Sequence, residues 1–316
     1  MSSPATTLTF VENVIPALNR SLEEGQRAAL VTLVRIDGSS PRPLGSQIGV
    51  TADGRSVGMI TGGCAEKAIV AEALRCIENA ENEIVRYGDG SPYVDVVLPC
   101  GSGIELYIEV QSSIEIVREI YTIHKDRELA FMAIDLTELT TSISRTSETA
   151  HSNVKFIKTY SPDYRIYVFG EGTNLASFCT LANAAGMNVE AFSPDEEALN
   201  FLKKNNIKGR HIHRKTDLKA LSIDNYTAIV TLFHEHEWES SILHAALNSQ
   251  ADYIGALGSR NTHQARLDSL AAMSPTKQSS DVIHGPVGLD IGAQSPNEIA
   301  VSIIAEIIKN HRHTSP

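Results

Sequence analysis

The feature that most constrains the fold is a regular alternation of strand and helix patterns from Tyr164 onwards. Short apolar runs with β-branched and aromatic residues alternate with amphipathic segments. Such alternation predicts a parallel sheet with right-handed crossover connections. The predicted strands are Arg165–Phe169, Asn188–Phe192, Ala228–Thr231 and Tyr253–Ala256, and the helices are Asn174–Ala185, Glu196–Lys203 and Trp238–Leu247. We therefore expect residues 164–316 to form a Rossmann-like, doubly wound domain.

The last helix of this domain carries a start signal. Ser295 is the expected N-cap, Pro296 stands in the first turn and Glu298 completes a capping box. Apolar residues then follow at helical spacing, which predicts a buried face formed by Ile299, Ile303 and Ile307.

Residues 1–112 predict a separate mixed α/β domain. Its helices are expected at residues 8–24 and Ala65–Asn79, and its strands at Ala28–Ile36, Gln47–Thr51, Val57–Ile60, Glu83–Tyr87, Tyr93–Leu98 and Ile104–Val110. The last strand alternates, which predicts that Glu105, Tyr107 and Glu109 face outward. Residues 113–163 are taken as a connecting segment, with a helix at Ile114–His124, a strand at Leu129–Ile134 and the domain boundary inside the polar stretch Thr140–Asn153.

Composition excludes some classes of partner. The net charge of −11 lacks a compensating basic block, so nucleic acid is not an expected ligand. No run of about 18 apolar residues predicts a membrane span, and the first residues do not resemble a secretion signal. The four cysteines are scattered, which favours a reducing cytoplasm over a disulfide framework.

Three loops of the N-terminal domain carry residues that suit an anionic, metal-bearing ligand. They are Gly38–Gly45 (GSSPRPLG), Thr61–Glu66 (TGGCAE) and Cys100–Gly103 (CGSG). Glycines expose main-chain N–H groups, an arginine binds phosphate, and thiolates suit soft metals. The cysteine of the second loop lies near the start of a helix, where the thiol pKa is expected to fall. The candidate cofactor-binding residues are Ser39, Ser40, Arg42, Gly45, Gly62, Gly63, Cys64, Glu66, Cys100, Gly101 and Gly103, with Cys64 as the candidate metal ligand.

The first Rossmann turn is Gly170-Glu171-Gly172, directly after a strand and before a helix. This context favours a phosphate-binding turn, although a tight turn without a ligand has the same pattern. An NAD site also expects an acidic residue at the end of the next strand, where Ser193 stands, and Pro194 displaces Asp195. NAD(P) is therefore possible but not supported.

Two further segments follow strands at the same sheet edge. His234-Glu235-His236 places two imidazoles at alternate positions, which suits a metal, an anion or simply a surface pair. Gly255–Arg260, within the segment Tyr253–Arg260 (YIGALGSR), is another strand-to-helix glycine turn. The candidate binding residues of this edge are Gly170, Gly172, His234, His236, Gly258, Ser259 and Arg260.

These motifs together resemble the xanthine dehydrogenase accessory (XdhC/CoxI) family. The resemblance includes GSSPRPLG, GGCAE and CGSG in the first half, and the Gly170 turn, the histidine pair, YIGALGSR and Gly285–Glu306 in the second. It implies a molybdenum cofactor chaperone, rather than an enzyme, that protects molybdopterin, presents it for sulfuration and inserts it into a xanthine dehydrogenase-type molybdoenzyme. The implied partners are that molybdoenzyme and a cysteine desulfurase-type sulfurase. It also implies that Cys64 is the family's GGC cysteine, and that Glu235 replaces the usual aspartate between the two histidines.

Two other functions remain open at this point. The Rossmann pattern with a histidine pair also fits an NAD(P)-dependent oxidoreductase, which titration with the dinucleotides would distinguish. A protein–protein adaptor whose loops bind neither ligand is the third. Domains of this kind often self-associate, so a homodimer is expected.

Overall fold

The protein is described by a computed structural model over residues 13–91, 103–146, 154–213, 221–233, 236–273, 275–276 and 278–314. The chain divides into two compact units between Pro162 and Asp163. Each unit has its own hydrophobic core.

The first unit contains a five-stranded antiparallel sheet of order β3-β2-β1-β5-β4. The same unit contains three helices, α1 (Ile15–Glu23), α2 (Glu66–Asn79) and α3 (Ser113–Lys125). The strands are β1 (Ala28–Asp37), β2 (Gln47–Thr51), β3 (Ser56–Gly58), β4 (Glu83–Gly88) and β5 (Gly103–Glu109). The predicted start of the first helix and the predicted strand Tyr93–Leu98 lie outside the described residues.

Both faces of this sheet are buried. Ile104, Leu106 and Ile108 pack with α2 on one face. On the other face Tyr107 packs with α1 and α3. Tyr107 and Glu109 are each 1% exposed, so the prediction that they face outward is wrong. Alternation along a strand shows which residues share a face of the sheet. It does not show that α1 and α3 cover the face that carries the polar residues.

The carboxylate of Glu109 is buried within a hydrogen-bonded network. It accepts bonds from the hydroxyls of Tyr107 (2.7 Å) and Thr141 (2.6 Å) and from the backbone N–H of Ser112 (2.9 Å). Asn82 also donates to it, at 3.2 Å. Because a buried charge is costly unless it is hydrogen-bonded, this network accounts for the inward Glu109.

Residues 113–160 contribute to the same unit. After α3 come β6 (Ala130–Asp135), β7 (Thr140–Ser144) and β8 (Lys155–Tyr160), which form an antiparallel three-stranded sheet of order β7-β6-β8. Its inner residues, such as Met132 and Tyr160, pack in one cluster with α1 and α3. The predicted helix Ile114–His124 and strand Leu129–Ile134 are thus present as α3 and β6.

The second unit is a six-stranded parallel sheet of order β11-β10-β9-β12-β13-β14. The strand order reverses between β9 and β12, the topological switch point of a doubly wound sheet. The strands are β9 (Arg165–Gly170), β10 (Asn188–Ser193), β11 (Lys208–His211), β12 (Thr227–Leu232), β13 (Tyr253–Ala256) and β14 (Ile283–His284).

Helices cover both faces of the parallel sheet, which confirms the predicted Rossmann-like fold. Residues of α4, α5 and α8 pack in the core on one face, and residues of α6 and α7 pack on the other. The helices are α4 (Gly172–Ala184), α5 (Glu196–Lys204), α6 (His236–Leu247), α7 (Arg260–Ala271) and α8 (Pro296–Thr314).

The predicted capping box at the start of α8 is confirmed. The backbone N–H of Glu298 donates to Ser295 Oγ at 3.3 Å, and Glu298 Oε2 accepts from the backbone N–H of Ser295 at 2.9 Å. Ile303 and Ile307 are buried on the inner face. Across the residues that the structure describes, none of the helices has the length and apolarity required for a membrane span.

Candidate functional site

Strand pairing brings the first two motif loops, and Gly103 of the third, to one end of the five-stranded sheet. Asp37, at the end of β1, and Gly88, at the end of β4, both pair with Gly103 at the start of β5. At the same end, β2 begins and β3 finishes, since Thr32 pairs with Gln47 and Ile48 with Gly58. We call the segments 38–46, 59–65 and 88–91, together with Gly103, the loop end. Cys100 and Gly101 lie outside the described residues.

The loop before α2 is shaped by the carboxylate of Glu66. Glu66 Oε1 accepts from the backbone N–H of Thr61 at 2.7 Å, and Oε2 accepts from the Thr61 hydroxyl at 2.5 Å and from the N–H of Gly63 at 2.7 Å. Burial opposes ionisation, but the hydrogen bonds donated by Thr61 and neighbouring amides outweigh it and hold the pKa of Glu66 below its usual value. Glu66 thus fixes the path of this loop.

The tip of the same loop is open to solvent. Gly62 and Gly63 have φ of 76° and 110°, a conformation that favours glycine, and a Cβ at either position would meet no atom within 4 Å. Cys64 follows them and is exposed, whereas Cys76 and Cys179 are buried. Backbone and thiol are therefore accessible at one place, just before α2 begins.

The Gly38–Gly45 loop closes on β1 through its last glycine. The backbone N–H of Gly45 donates to the carbonyl of Leu33 at 2.8 Å, and Leu33 N–H donates to the carbonyl of Ser46 at 2.9 Å. Within the loop, Arg42 N–H donates to Ser40 Oγ at 3.3 Å. Ser39 is exposed and Arg42 half-buried. The structure therefore places Arg42 at the same end of the sheet as Cys64.

Both glycines of the first Rossmann turn are engaged by other residues of the protein. A Cβ on Gly170 would lie 2.8 Å from Leu232 Cβ, so that glycine serves the close packing of β9 on β12. Gly172 has φ of 62°, and its N–H donates to Asp195 Oδ2 at 3.1 Å. The carboxylate of Asp195 thus occupies a backbone donor that a phosphate-binding turn would offer to its ligand.

Asp195 also caps the next helix. Its Oδ1 accepts from the N–H groups of Glu197 (2.9 Å) and Ala198 (3.1 Å) at the start of α5. Both oxygens are therefore used by backbone donors, while Ser193 is fully buried. The arrangement that binds ribose hydroxyls in NAD sites, an acidic residue at the end of this strand, is not formed here.

Replacing Asp195 with Asn is expected to destabilise the second unit by about 1 kcal/mol at pH 7. The Asn oxygen can still cap α5, but the amide NH2 would face the Gly172 N–H, and the negative charge at two helix starts would be lost. Hydrogen bonds from Ala198, Gly172 and Glu197 outweigh burial and lower the pKa of Asp195 below its ordinary value of 3.8. This contribution is therefore complete above that value and is lost as the pH falls through the lower folded-state pKa. Urea unfolding followed by the fluorescence of Trp238, the single tryptophan, should show a difference at pH 7 that shrinks at acid pH. An equal difference at both pH values would contradict this role.

The second predicted group at this edge is only partly covered by the structure. His234 and Glu235 lie outside the described residues, and His236 is the first residue of α6. Ser259 is the N-cap of α7 and accepts from the N–H of Thr262 at 3.1 Å. A Cβ on Gly258 would lie 2.8 Å from Thr262, and Arg260 is exposed. Gly258 and Ser259 therefore build the start of this helix, and Arg260 is its exposed first residue.

Protein-family models match parts of both units of the chain. A model described as the XdhC and CoxI family matches residues 21–88, and a model of the XdhC Rossmann domain matches residues 166–307. Together they span about two thirds of the chain and include the GGC loop and the whole switch point. The chain belongs to the XdhC and CoxI family.

Curated relatives of this XdhC/CoxI protein match over nearly its full length. It is 29% identical to the molybdenum cofactor insertion chaperone PaoD of Escherichia coli, over 93% of this chain and 86% of the relative. It is 24% identical to a protein of Bacillus subtilis described as a probable subunit of xanthine dehydrogenase, over 94% and 97% respectively. A crystal structure described as a xanthine dehydrogenase from Bacillus halodurans shares the fold, with a TM-score of 0.76, 22% identity and coverage of 95% and 96%.

A buried ion pair in the second unit of this XdhC/CoxI protein was not anticipated from sequence. Arg266 Nε and Nη2 each donate to Glu239 at 3.0 Å, and Nη2 also donates to the carbonyl of Leu257 at 2.6 Å. Thr231 donates to the same carboxylate at 3.0 Å. The pair thus joins β12, α6 and the turn before α7. Both charged residues have the pattern of ordinary surface positions on helices, so no sequence signal marks them.

The pair also positions an imidazole at the sheet edge. His263 Nδ1 lies 3.2 Å from Arg266 Nη1, and a Cβ on Gly285 would collide with the same ring. Burial, and secondly the charge of Arg266, lower the pKa of His263. Within the described part of the chain, no group of three or more His, Cys, Asp and Glu residues is placed to hold a metal ion.

Proposed function

We propose that this chain is a molybdenum cofactor chaperone that binds the cofactor at the loop end and inserts it into a xanthine dehydrogenase-type enzyme. The observation that carries the proposal is that the Gly38–Gly45 and Thr61–Glu66 loops and Gly103 lie at one end of one sheet, with Cys64 exposed there. The function of PaoD, a relative over 93% of the chain, supports the choice of cargo.

The chemistry of the loop end fits this cargo. The cofactor carries phosphate, which suits the exposed backbone at Gly62 and the guanidinium of Arg42. It also carries a dithiolene-bound molybdenum centre, for which a thiolate is a soft ligand. Cys64 is the described residue of this type that is accessible. We assign it as the metal ligand, and assign the backbone of Gly62 and the guanidinium of Arg42 to the anionic part.

The exposed position of the loop end is consistent with two further steps. We propose that the bound cofactor is presented there for sulfuration by a cysteine desulfurase-type enzyme, and that the client enzyme docks on the same side. We also propose a homodimer, which light scattering tests: the mass of a single chain would refute it.

Cofactor retention tests the proposal. Molybdopterin released from a purified molybdoenzyme is mixed anaerobically with the protein, and a desalting column separates the free cofactor. We expect molybdenum and pterin to elute with the protein, and transfer to the apo-form of a xanthine dehydrogenase-type enzyme to restore its activity. Free elution of the cofactor at saturating concentration would overturn the proposal.

Replacing Cys64 with Ser is expected to weaken cofactor binding by about tenfold or more, because a neutral hydroxyl is a weaker metal ligand than a thiolate. Stability should not change, since the side chain is exposed. Alkylation by iodoacetamide, followed by mass spectrometry, provides a second measurement. Bound cofactor should protect Cys64, while the buried Cys76 and Cys179 stay unreactive with or without it. Unchanged affinity and no protection would remove Cys64 from the site.

A further inference from the structure

Arg86, on β4, contacts the end of β1, the start of β5 and the turn after β4, next to the loop end. Its Nη1 is 2.7 Å from Asp37 Oδ2, at the end of β1, and 3.0 Å from Glu105 Oε1, on β5. Its Nε donates to the carbonyl of Asp89 at 2.8 Å, in the turn that follows β4. One guanidinium therefore joins three adjacent strands at the point where their loops begin.

The Arg86 guanidinium lies in a space between Gly103 and the Asp89 carbonyl, which we call the notch. The notch requires a glycine at position 103. A Cβ built on Gly103 would collide with Arg86 Nη2 and would lie 2.9 Å from the Asp89 carbonyl oxygen. Gly103 is the last residue of the CGSG motif. The close approach of Arg86 and of the Asp89 carbonyl is therefore a structural reason for this glycine.

Arg86 also balances the charge at this end of the sheet. Asp37 directly precedes the Gly38–Gly45 loop, and Glu105 is two residues beyond Gly103. Arg35 also faces both carboxylates, but at 3.7 Å from Asp37 and 3.9 Å from Glu105 it is farther from them than Arg86 is. Without Arg86, two carboxylates would share this more distant cation at the base of the loops that we propose receive an anionic cofactor, and a net negative charge would remain there. That charge would oppose binding of the cofactor.

On the basis of the proposed function, we infer that Arg86 is a positioning residue, which holds the Gly38–Gly45 loop and the start of β5 at Gly103 in place for the cofactor without touching it. Arg86 belongs to none of the motif loops, and its guanidinium bonds to Asp37, Glu105 and the carbonyl of Asp89. In this inference Gly103 makes room for Arg86 and does not itself bind the cofactor.

The inference is tested by hydrogen exchange and by cofactor affinity in matched variants of the full chain. Arg86→Met removes the bridge and Arg86→Lys keeps the charge. Arg75→Met is the control, because Arg75 pairs with Glu72 and Glu83 at the opposite end of β4. We expect Arg86→Met to accelerate amide exchange in residues 37–46 and to weaken cofactor binding about tenfold, which corresponds to about 1.4 kcal/mol. Arg86→Lys should restore part of both, and Arg75→Met should change neither.

A double-mutant cycle separates positioning from general destabilisation. Gly103→Ala should reproduce the effect of Arg86→Met on exchange and affinity, and combining the two should add little, since both disrupt the same notch. If Arg86→Met leaves exchange and affinity unchanged, the inference is wrong while the proposed function stands. If the wild-type chain binds no cofactor, the proposed function is wrong, and exchange in the Arg86 and Gly103 variants still decides whether the notch orders the loops.

Discussion

Replacing Arg266 with Met is expected to lower the free energy of unfolding of the second unit by about 3–5 kcal/mol, because it leaves the carboxylate of Glu239 buried without its cation. The side chains of Arg266 and Glu239 are 1% and 3% exposed, so water cannot take the place of the missing partner. The loss should appear as a shift of the urea midpoint in the fluorescence of Trp238, which lies on α6 together with Glu239.

Two further variants identify the cause. The double variant Arg266→Met/Glu239→Leu should be clearly more stable than Arg266→Met alone, since no charge then remains buried. Arg210→Met removes an exposed partner of Glu190 in the same unit and should cost less than about 1 kcal/mol. A double variant as unstable as the single one would contradict the assignment to an unpaired charge.

The second large effect is expected at Glu66. In Glu66→Gln an amide NH2 replaces one of two oxygens that both accept hydrogen bonds from the Thr61–Gly63 loop. At least one donor of the loop is then left facing another donor, at a cost of about 1–3 kcal/mol. We expect faster amide exchange in residues 59–66 and loss of cofactor retention, because the loop tip with Cys64 no longer has a fixed path.

The pH dependence distinguishes this role from direct ligand binding. Because the folded-state pKa of Glu66 lies below the ordinary value of 4.5, its contribution is complete above that value and disappears as the pH falls through the folded-state pKa. The difference in exchange between wild type and Glu66→Gln should therefore be large at neutral pH and small in acid. Glu78→Gln, on the exposed side of α2, is the matched control and should match wild type. Normal exchange in Glu66→Gln would show that Glu66 does not shape the loop.

Much of the fold could be predicted because local signals agree with tertiary structure. The strand and helix pattern from Tyr164 predicted the parallel sheet, and Ser295 and Glu298 predicted the start of α8. Short strands β11 and β14 were not predicted. β14 has two residues, and β11 begins with Lys208 and Gly209, so their strand structure depends on pairing with β13 and β10 rather than on a pattern of their own.

The sequence predicts which loops carry the candidate site, but it does not predict which partners their residues have within the protein. Glu66 and Gly103 were predicted to bind the cofactor because they belong to motifs. The structure shows a carboxylate that bonds its own loop and a glycine that makes room for Arg86. Such roles depend on partners distant in sequence, as with Asp195 and Gly172, so the local pattern does not carry them. Strand register places the Gly38–Gly45 and Thr61–Glu66 loops and Gly103 at one end of the sheet, and the binding roles of their residues stay predictions.

The most direct test of the central claim is the location of molybdenum in crystals of the cofactor-bound protein, from anomalous diffraction at the molybdenum absorption edge. We predict one anomalous peak per chain at the loop end of the first unit, within coordination distance of Cys64 Sγ. A peak at the carboxyl edge of the parallel sheet in the second unit, or a bound chain whose peak is remote from Cys64, would contradict the account.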